Sequence, residues 1–210
     1  MSPLEALERS PLWSQSAFAI FVNLVVFVGF VLIAVAVALD FKHYYKQNRT
    51  VVGSDRSLVE TGSMTAFFLV YYLAIRFQVL QIDAAGPARM ALIWVGLGLV
   101  IAGVAFNLYG RVALGSSWAN QIRVYEGQSL ITGGPYSVVR HPLYASLIWI
   151  FIGASLIYLN PLALVLTLGV FLPMMYVRAR KEDALLQASF GEEYEVYRRR
   201  TGMFFPKVWR

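Results

Sequence analysis

The hydrophobic positions of this chain gather into five long runs, separated by links rich in polar residues, glycine or proline. The first run, Ala17 to Leu39, contains one strongly polar residue, Asn23. It exceeds the about 20 residues that a helix needs to cross a hydrocarbon core and is too long for a signal-peptide core, so it predicts an uncleaved first span. Ser63 to Ile82 forms the second run, with Arg76 close enough to its end to snorkel outward. The third, Met90 to Tyr109, contains Gly96, Gly98 and Gly103, which predict close helix–helix approach. Pro142 to Tyr158 and Pro161 to Val177 are joined through Asn160, too short a link for anything but an antiparallel helical hairpin, and Pro173 predicts a kink in the second arm. Beyond it, Arg178 to Arg200 is charged, and Leu186, Phe190, Tyr194 and Tyr197 recur at helical spacing. This predicts an amphipathic helix on the membrane surface or capping the bundle.

The pattern predicts an all-α, polytopic membrane helical bundle of one domain, each span long enough as a helix to cross the hydrocarbon. Composition agrees: 58% of 210 residues are hydrophobic and 14% charged, against about 25% charged in soluble domains. A net charge of +6 would suit nucleic acid in a soluble protein, but placement explains it here. Of the 18 basic residues, only Arg9 and Arg89 fall on one side of the five spans and Arg76 lies within one. The rest cluster in Phe41 to Gly62, Gly110 to His141 and Arg178 to Arg210. By the positive-inside rule the N-terminus is expected outside and the C-terminus in the cytoplasm, with no nucleic-acid partner implied. There is no cysteine and there are two histidines, a set that builds neither a disulfide nor a zinc site. His43, beside Tyr44 and Tyr45, reads as an interfacial residue. The three glycines leave open whether the bundle packs against a second copy.

Candidate chemistry concentrates in the link Gly110 to His141, above all in GGPYSVVRHPLY from Gly133 to Tyr144. Its glycines and prolines prevent a plain helix across the first half, and Tyr136, Arg140, His141 and Tyr144 stand beside the fourth span. The hairpin geometry brings the start of the C-terminal helix, with Arg178, Glu182 and Asp183, back to the level of His141. Carboxylates, cations and aromatic faces together suit a zwitterionic, cationic ligand. Without further information the same charges also read as a solvated interfacial run.

The order of these segments narrows the choice. RHPLY, then a hairpin, then KEDALLQASFGEEYEVYRRR and FFP resembles the isoprenylcysteine carboxyl methyltransferase family and the related phospholipid N-methyltransferases; ALGSSW, Ala113 to Trp118, resembles what precedes the loop there. The resemblance covers Ala113 to Pro206. It implies S-adenosylmethionine as cofactor, with Arg140, His141, Pro142 and Tyr144 matching the loop and Glu182 the first of two glutamates; Tyr136 and Asp183 complete the expected cofactor set. Two departures stand out: Ser146 occupies the loop's final glycine position, where it is expected to crowd the cofactor, and Asp183 replaces the second glutamate with a shorter reach.

Methyl transfer requires a nucleophile held in line and water kept out, with no metal and no covalent intermediate. Arg178 and Glu182 are the expected catalytic residues, Arg178 orienting an anionic acceptor or the cofactor's carboxylate. The acceptor is expected to be lipophilic, an isoprenylcysteine-like carboxylate or a lipid head group, reaching the site from the membrane. Two alternatives stay open: a membrane reductase using a nicotinamide cofactor, with Arg198 to Arg200 near its phosphate, and a non-catalytic membrane protein.

Overall fold

The computed structural model describes residues 16–44, 51–55, 58–82, 84, 86–115, 122–125 and 129–207. Ser116 to Trp118 of the upstream motif and the side chain of His43 lie outside the described set. Helix α1 is Ala17–Tyr44, α2 Leu58–Arg76, α3 Pro87–Leu114 and α4 Pro142–Ile157. The last arm begins as α5, Pro161–Leu166, passes through a π-helical turn, Thr167–Phe171, and continues as α6, Leu172–Arg200. A short ribbon, β1 Val51–Asp55 paired antiparallel with β2 Ile122–Tyr125, lies against α6 as an addition to the helical architecture.

Three helical stretches, Ala17–Asp40, Pro87–Leu114 and Pro161–Arg200, are long and apolar enough to cross a membrane; Gly62–Arg76 and Pro142–Ile157 are shorter apolar helices. Phe21 and Leu24 of α1 and Leu69 of α2 are exposed on the outside of the bundle. That is the expected solvent for a chain whose apolar surface meets lipid. The protein is an integral membrane protein.

The third apolar run is helical from Pro87, whose missing N–H costs nothing at a first helical turn. The second helix stops at Arg76 although the apolar run continues to Ile82. Gln78 and Leu80 adopt left-handed φ of 54° and 56°, and the Asn160 amide donates to the carbonyls of Ala74 and Val79, both at 3.1 Å. Asn160 also accepts from the Ala163 N–H at 2.8 Å, capping α5. One side chain therefore closes the hairpin and anchors it to α2. The irregularity anticipated at Pro173 takes the form of the π turn just before it. There the Leu172 N–H reaches back five residues to the Thr167 carbonyl, accommodating a residue that donates no bond of its own.

Helices α3 and α4 form the tightest pair. Buried residues on α3 recur as Ile93, Gly96, Val100, Gly103, Asn107 and Gly110, one stripe of a 3.5-residue period. A Cβ on Gly96 would stand 2.5 Å from the Gly153 carbonyl oxygen, and one on Gly103 2.6 Å from Ile150 Cγ1, whereas a Cβ on Gly98 would meet nothing within 4 Å. Gly96→Val should therefore destabilise the protein by about 2 kcal/mol or more, with Gly98→Val close to neutral. Thermal unfolding in lipid nanodiscs checks this, and equal shifts for the two variants would contradict it.

Candidate functional site

His141 precedes the first turn of α4, where Pro142 occupies the N-terminal position that tolerates it. The backbone of this stretch is fastened from the far end of the chain: the Arg140 N–H donates to the Gly202 carbonyl at 2.8 Å, and the His141 N–H to the Met203 carbonyl at 3.2 Å. Tyr136 lies in a 3-10 turn, Gly134–Ser137, and its carbonyl accepts from the Tyr197 hydroxyl at 2.7 Å. Because α4 and the α5–α6 arm run antiparallel from Asn160, Glu182 and Asp183 come level with His141, about 40 residues away in sequence.

The two acids divide their work. Asp183 Oδ1 lies 2.7 Å from His141 Nε2 and accepts from the Tyr194 hydroxyl, while Arg140 Nη2 reaches Asp183 Oδ2 at 3.1 Å. Glu182 Oε2 lies 3.4 Å from His141 Nδ1 and accepts from the Tyr144 hydroxyl at 2.8 Å; that hydroxyl in turn accepts from Arg178 Nε at 3.0 Å. The imidazole is thus held edge-on between two carboxylates and stacks on Tyr144 with ring centroids 5.5 Å apart. Arg178 and Glu182, about one helical turn apart on α6, are joined through Tyr144.

Burial alone would push the His141 pKa down, but the hydrogen bonds and charges of Asp183 and Glu182 overcome this and push it up to about 9. At neutral pH it is an imidazolium. Asp183 is raised by burial and lowered more strongly by bonds from His141, Tyr194 and Arg140, so its carboxyl titrates well below the usual range. A histidine raised from 6.5 contributes stability that is complete below pH 6.5 and lost as pH climbs through about 9. The depressed acid acts in the opposite direction, and its contribution disappears as pH falls below the ordinary carboxyl range. The melting temperature should decline from pH 6.5 to 9.5, and His141→Gln should flatten that decline. An unchanged slope in the variant would show that another group titrates.

A cavity of about 1080 Å³ opens beside this cluster. Tyr136, Arg140, His141, Pro142, Tyr144, Arg178, Glu182, Tyr194 and Tyr197 line one end; Val26, Phe30 and Ile33 of α1, Phe68 of α2 and Leu147 and Phe151 of α4 line the other. Of the residues expected to contact a cofactor, only Asp183 does not line the cavity: it stands behind the wall, its oxygens engaged by Arg140, His141 and Tyr194. Ser146 also faces elsewhere. Its hydroxyl meets Asn107 Nδ2 at 2.8 Å and donates to the Leu143 carbonyl at 2.8 Å, so it joins α4 to α3 and crowds nothing in the cavity.

Residues 94–188 match the sequence model of the isoprenylcysteine carboxyl methyltransferase family. A probable protein-S-isoprenylcysteine O-methyltransferase of Oryza sativa subsp. indica is 36% identical over 118 residues, covering 55% of this chain and 61% of the rice protein. The protein-S-isoprenylcysteine O-methyltransferase of Saccharomyces cerevisiae is 28% identical over 227 residues, covering 96% and 94%. The solved eukaryotic intramembrane Ras methyltransferase of the family shares the fold, with TM-score 0.55 and 22% identity over 91% of this chain and 64% of that one. The chain therefore spans 61% of the length of the rice relative, and the matched segment holds the whole of α4 and, on α6, Glu182 and Asp183.

Sequence spacing did not single out Asp40, Asn107 and Tyr194. Asp40 binds Arg111 from 71 residues away, and no periodicity links two different helices. Tyr194 was visible only as one of four residues at helical spacing. Gly191, at φ 55°, breaks α6 between Phe190 and Tyr194, so the four do not form one continuous stripe.

Proposed function

We propose that this protein transfers a methyl group from S-adenosylmethionine to a lipophilic acceptor, an isoprenylcysteine-like carboxylate or a lipid head group. The observation that carries this reading is the meeting of His141 and Glu182 at the wall of a cavity whose lining from α1, α2 and α4 is largely apolar. The relatives named for methyl transfer to isoprenylcysteine support it.

The residues present fit the cofactor. Glu182 offers a carboxylate to an amino group or ribose hydroxyls, the phenol rings of Tyr136 and Tyr144 offer faces to an adenine or a sulfonium, and His141 holds Glu182 in place. When bound, S-adenosylmethionine supplies a methyl carbon already activated by the sulfonium. Arg178 then orients the anionic group of the acceptor, its guanidinium steered by the Tyr144 hydroxyl at 3.0 Å and lying 3.7 Å from Met64 Sδ on α2. The apolar arm between α1, α2 and α4 receives the acceptor's tail and excludes water from the reacting end. Asp183 acts from behind the wall by fixing His141 and Arg140. We place the His141 end of the bundle in the cytoplasm, with the N-terminus outside, because the basic residues gather there.

A labelled-methyl assay in native lipid extract tests the proposal. Label should enter an organic-phase product, and nicotinamide dinucleotides should neither bind nor compete. Label confined to water-soluble acceptors, or binding of a nicotinamide cofactor in place of S-adenosylmethionine, would overturn it.

A further inference from the structure

Four arginines line the cavity, and they differ in how much of their hydrogen-bonding capacity the protein already uses. Arg140 has four of its five donors taken: Nε and Nη2 address Asp183, and Nη1 donates to the carbonyls of Arg198 and Thr201. Arg178 belongs to the Tyr144–Glu182 chain, and Arg76 sits at the opposite end of α2. Arg111 is different. It is held from two helices, Nε donating to Asn107 Oδ1 at 2.9 Å and Nη1 to Asp40 Oδ2 at 2.5 Å.

A guanidinium has five N–H donors. Two of those of Arg111 hold it in place, and among the described residues nothing takes the three others, both on Nη2 included, beside the cavity it lines. Its carboxylate partner Asp40 is absent from the cavity wall, so the anion stands behind and the cation in front. Its side chain is 12% exposed, which reduces the screening that makes surface pairs weak. The fork is therefore preorganised, with few rotamers left to lose when a ligand arrives. Its charge also reaches the Tyr136 phenol on the neighbouring wall, which places it beside the expected cofactor set.

We propose that Arg111, clamped by Asp40 and Asn107, is the carboxylate-binding residue of this cavity. The inference rests on the methyl-transfer reading for the identity of its ligand, the amino-acid carboxylate of the cofactor or the acid group of the acceptor. A planar, immobilised fork with spare parallel donors matches a carboxylate bidentately. Arg178 stays with the Tyr144 hydroxyl at the reacting end.

The test uses the full chain in nanodiscs. Arg111→Gln is combined with Asp40→Asn so that no lone buried charge remains, and Asp40→Asn alone serves as control. Calorimetry compares S-adenosylmethionine with its decarboxylated analogue; a second titration compares an S-alkylated N-acetylcysteine acid with its amide. The proposal expects the double variant to lose tenfold or more of one of these two preferences, with binding of the uncharged-end analogue unchanged. Loss in the first pair assigns the cofactor's carboxylate, and loss in the second assigns the acceptor's. Both preferences persisting in the double variant overturns the proposal. A wild-type protein that ignores S-adenosylmethionine while showing an Arg111-dependent preference for the acid sinks the methyl-transfer reading and leaves the carboxylate site standing.

Discussion

Glu182→Gln should weaken S-adenosylmethionine binding by roughly 100-fold while lowering the melting temperature by only a few degrees. Of the two adjacent acids, Glu182 is the one on the cavity wall, so its charge is the one a ligand meets. A hydrogen bond to a charged group contributes about 1.5–3 kcal/mol, which corresponds to roughly 10- to 150-fold in affinity. Glutamine keeps the shape and still accepts from the Tyr144 hydroxyl. The imidazolium loses one neighbouring charge and keeps Asp183 at 2.7 Å, which limits the damage to the fold. Calorimetry with parallel thermal melts separates the two effects. Unchanged affinity in a folded variant would remove Glu182 from the site.

Asp183→Asn should show the opposite balance, a large loss of stability with binding lost only as a consequence. Three groups depend on this carboxylate: the Arg140 guanidinium, the His141 imidazolium and the Tyr194 hydroxyl. Removing the charge leaves two partly or fully buried cations without it, a change that costs about 3–5 kcal/mol when one partner of a buried pair is lost. In a chain of this size that is a fall of about 10 °C or more. The loss should be visible in the absence of any ligand. A variant with the wild-type melting temperature and no cofactor affinity would instead make Asp183 a direct ligand contact.

The contrast between these neighbours shows what the sequence could and could not disclose. The convergence of His141 with Glu182 was legible because it follows from connectivity: two apolar arms joined at Asn160 and Pro161 must run antiparallel, which brings their polar ends level. Which of the two acids faces the ligand was not legible. That depends on a helical phase and a reach that differ by one residue and one methylene, and the answer is Glu182 on the wall and Asp183 behind it. Ser146 misled for a similar reason, since a loop motif says nothing about whether its last position faces the cavity or α3, and Asn107 draws it to α3. The glycines were half legible. Gly96 and Gly103 make the close approach that their spacing announces, while Gly98, two residues from Gly96, falls on the opposite face. The ribbon of β1 and β2 had no periodicity to reveal it, being four or five residues per strand inside polar links.

The clasp around His141 also depends on residues far from the motif. The backbone of Gly202 and Met203 secures Arg140 and His141, so the end of the chain is part of the site's frame. Arg140, the first residue of the loop motif, acts mainly within that frame, bonded to Asp183, Arg198 and Thr201. Its side chain lines the cavity, but four of its five donors are already used by the protein.

The central claim is that Glu182, held in place by the imidazole of residue 141, binds one molecule of S-adenosylmethionine in this cavity. Titration of the nanodisc-embedded protein with S-adenosylmethionine tests it most directly. The account predicts saturable binding of one molecule per chain, abolished in a folded double variant carrying His141→Gln and Glu182→Gln. Absence of binding to the wild type, or equal affinity in that double variant, would contradict it.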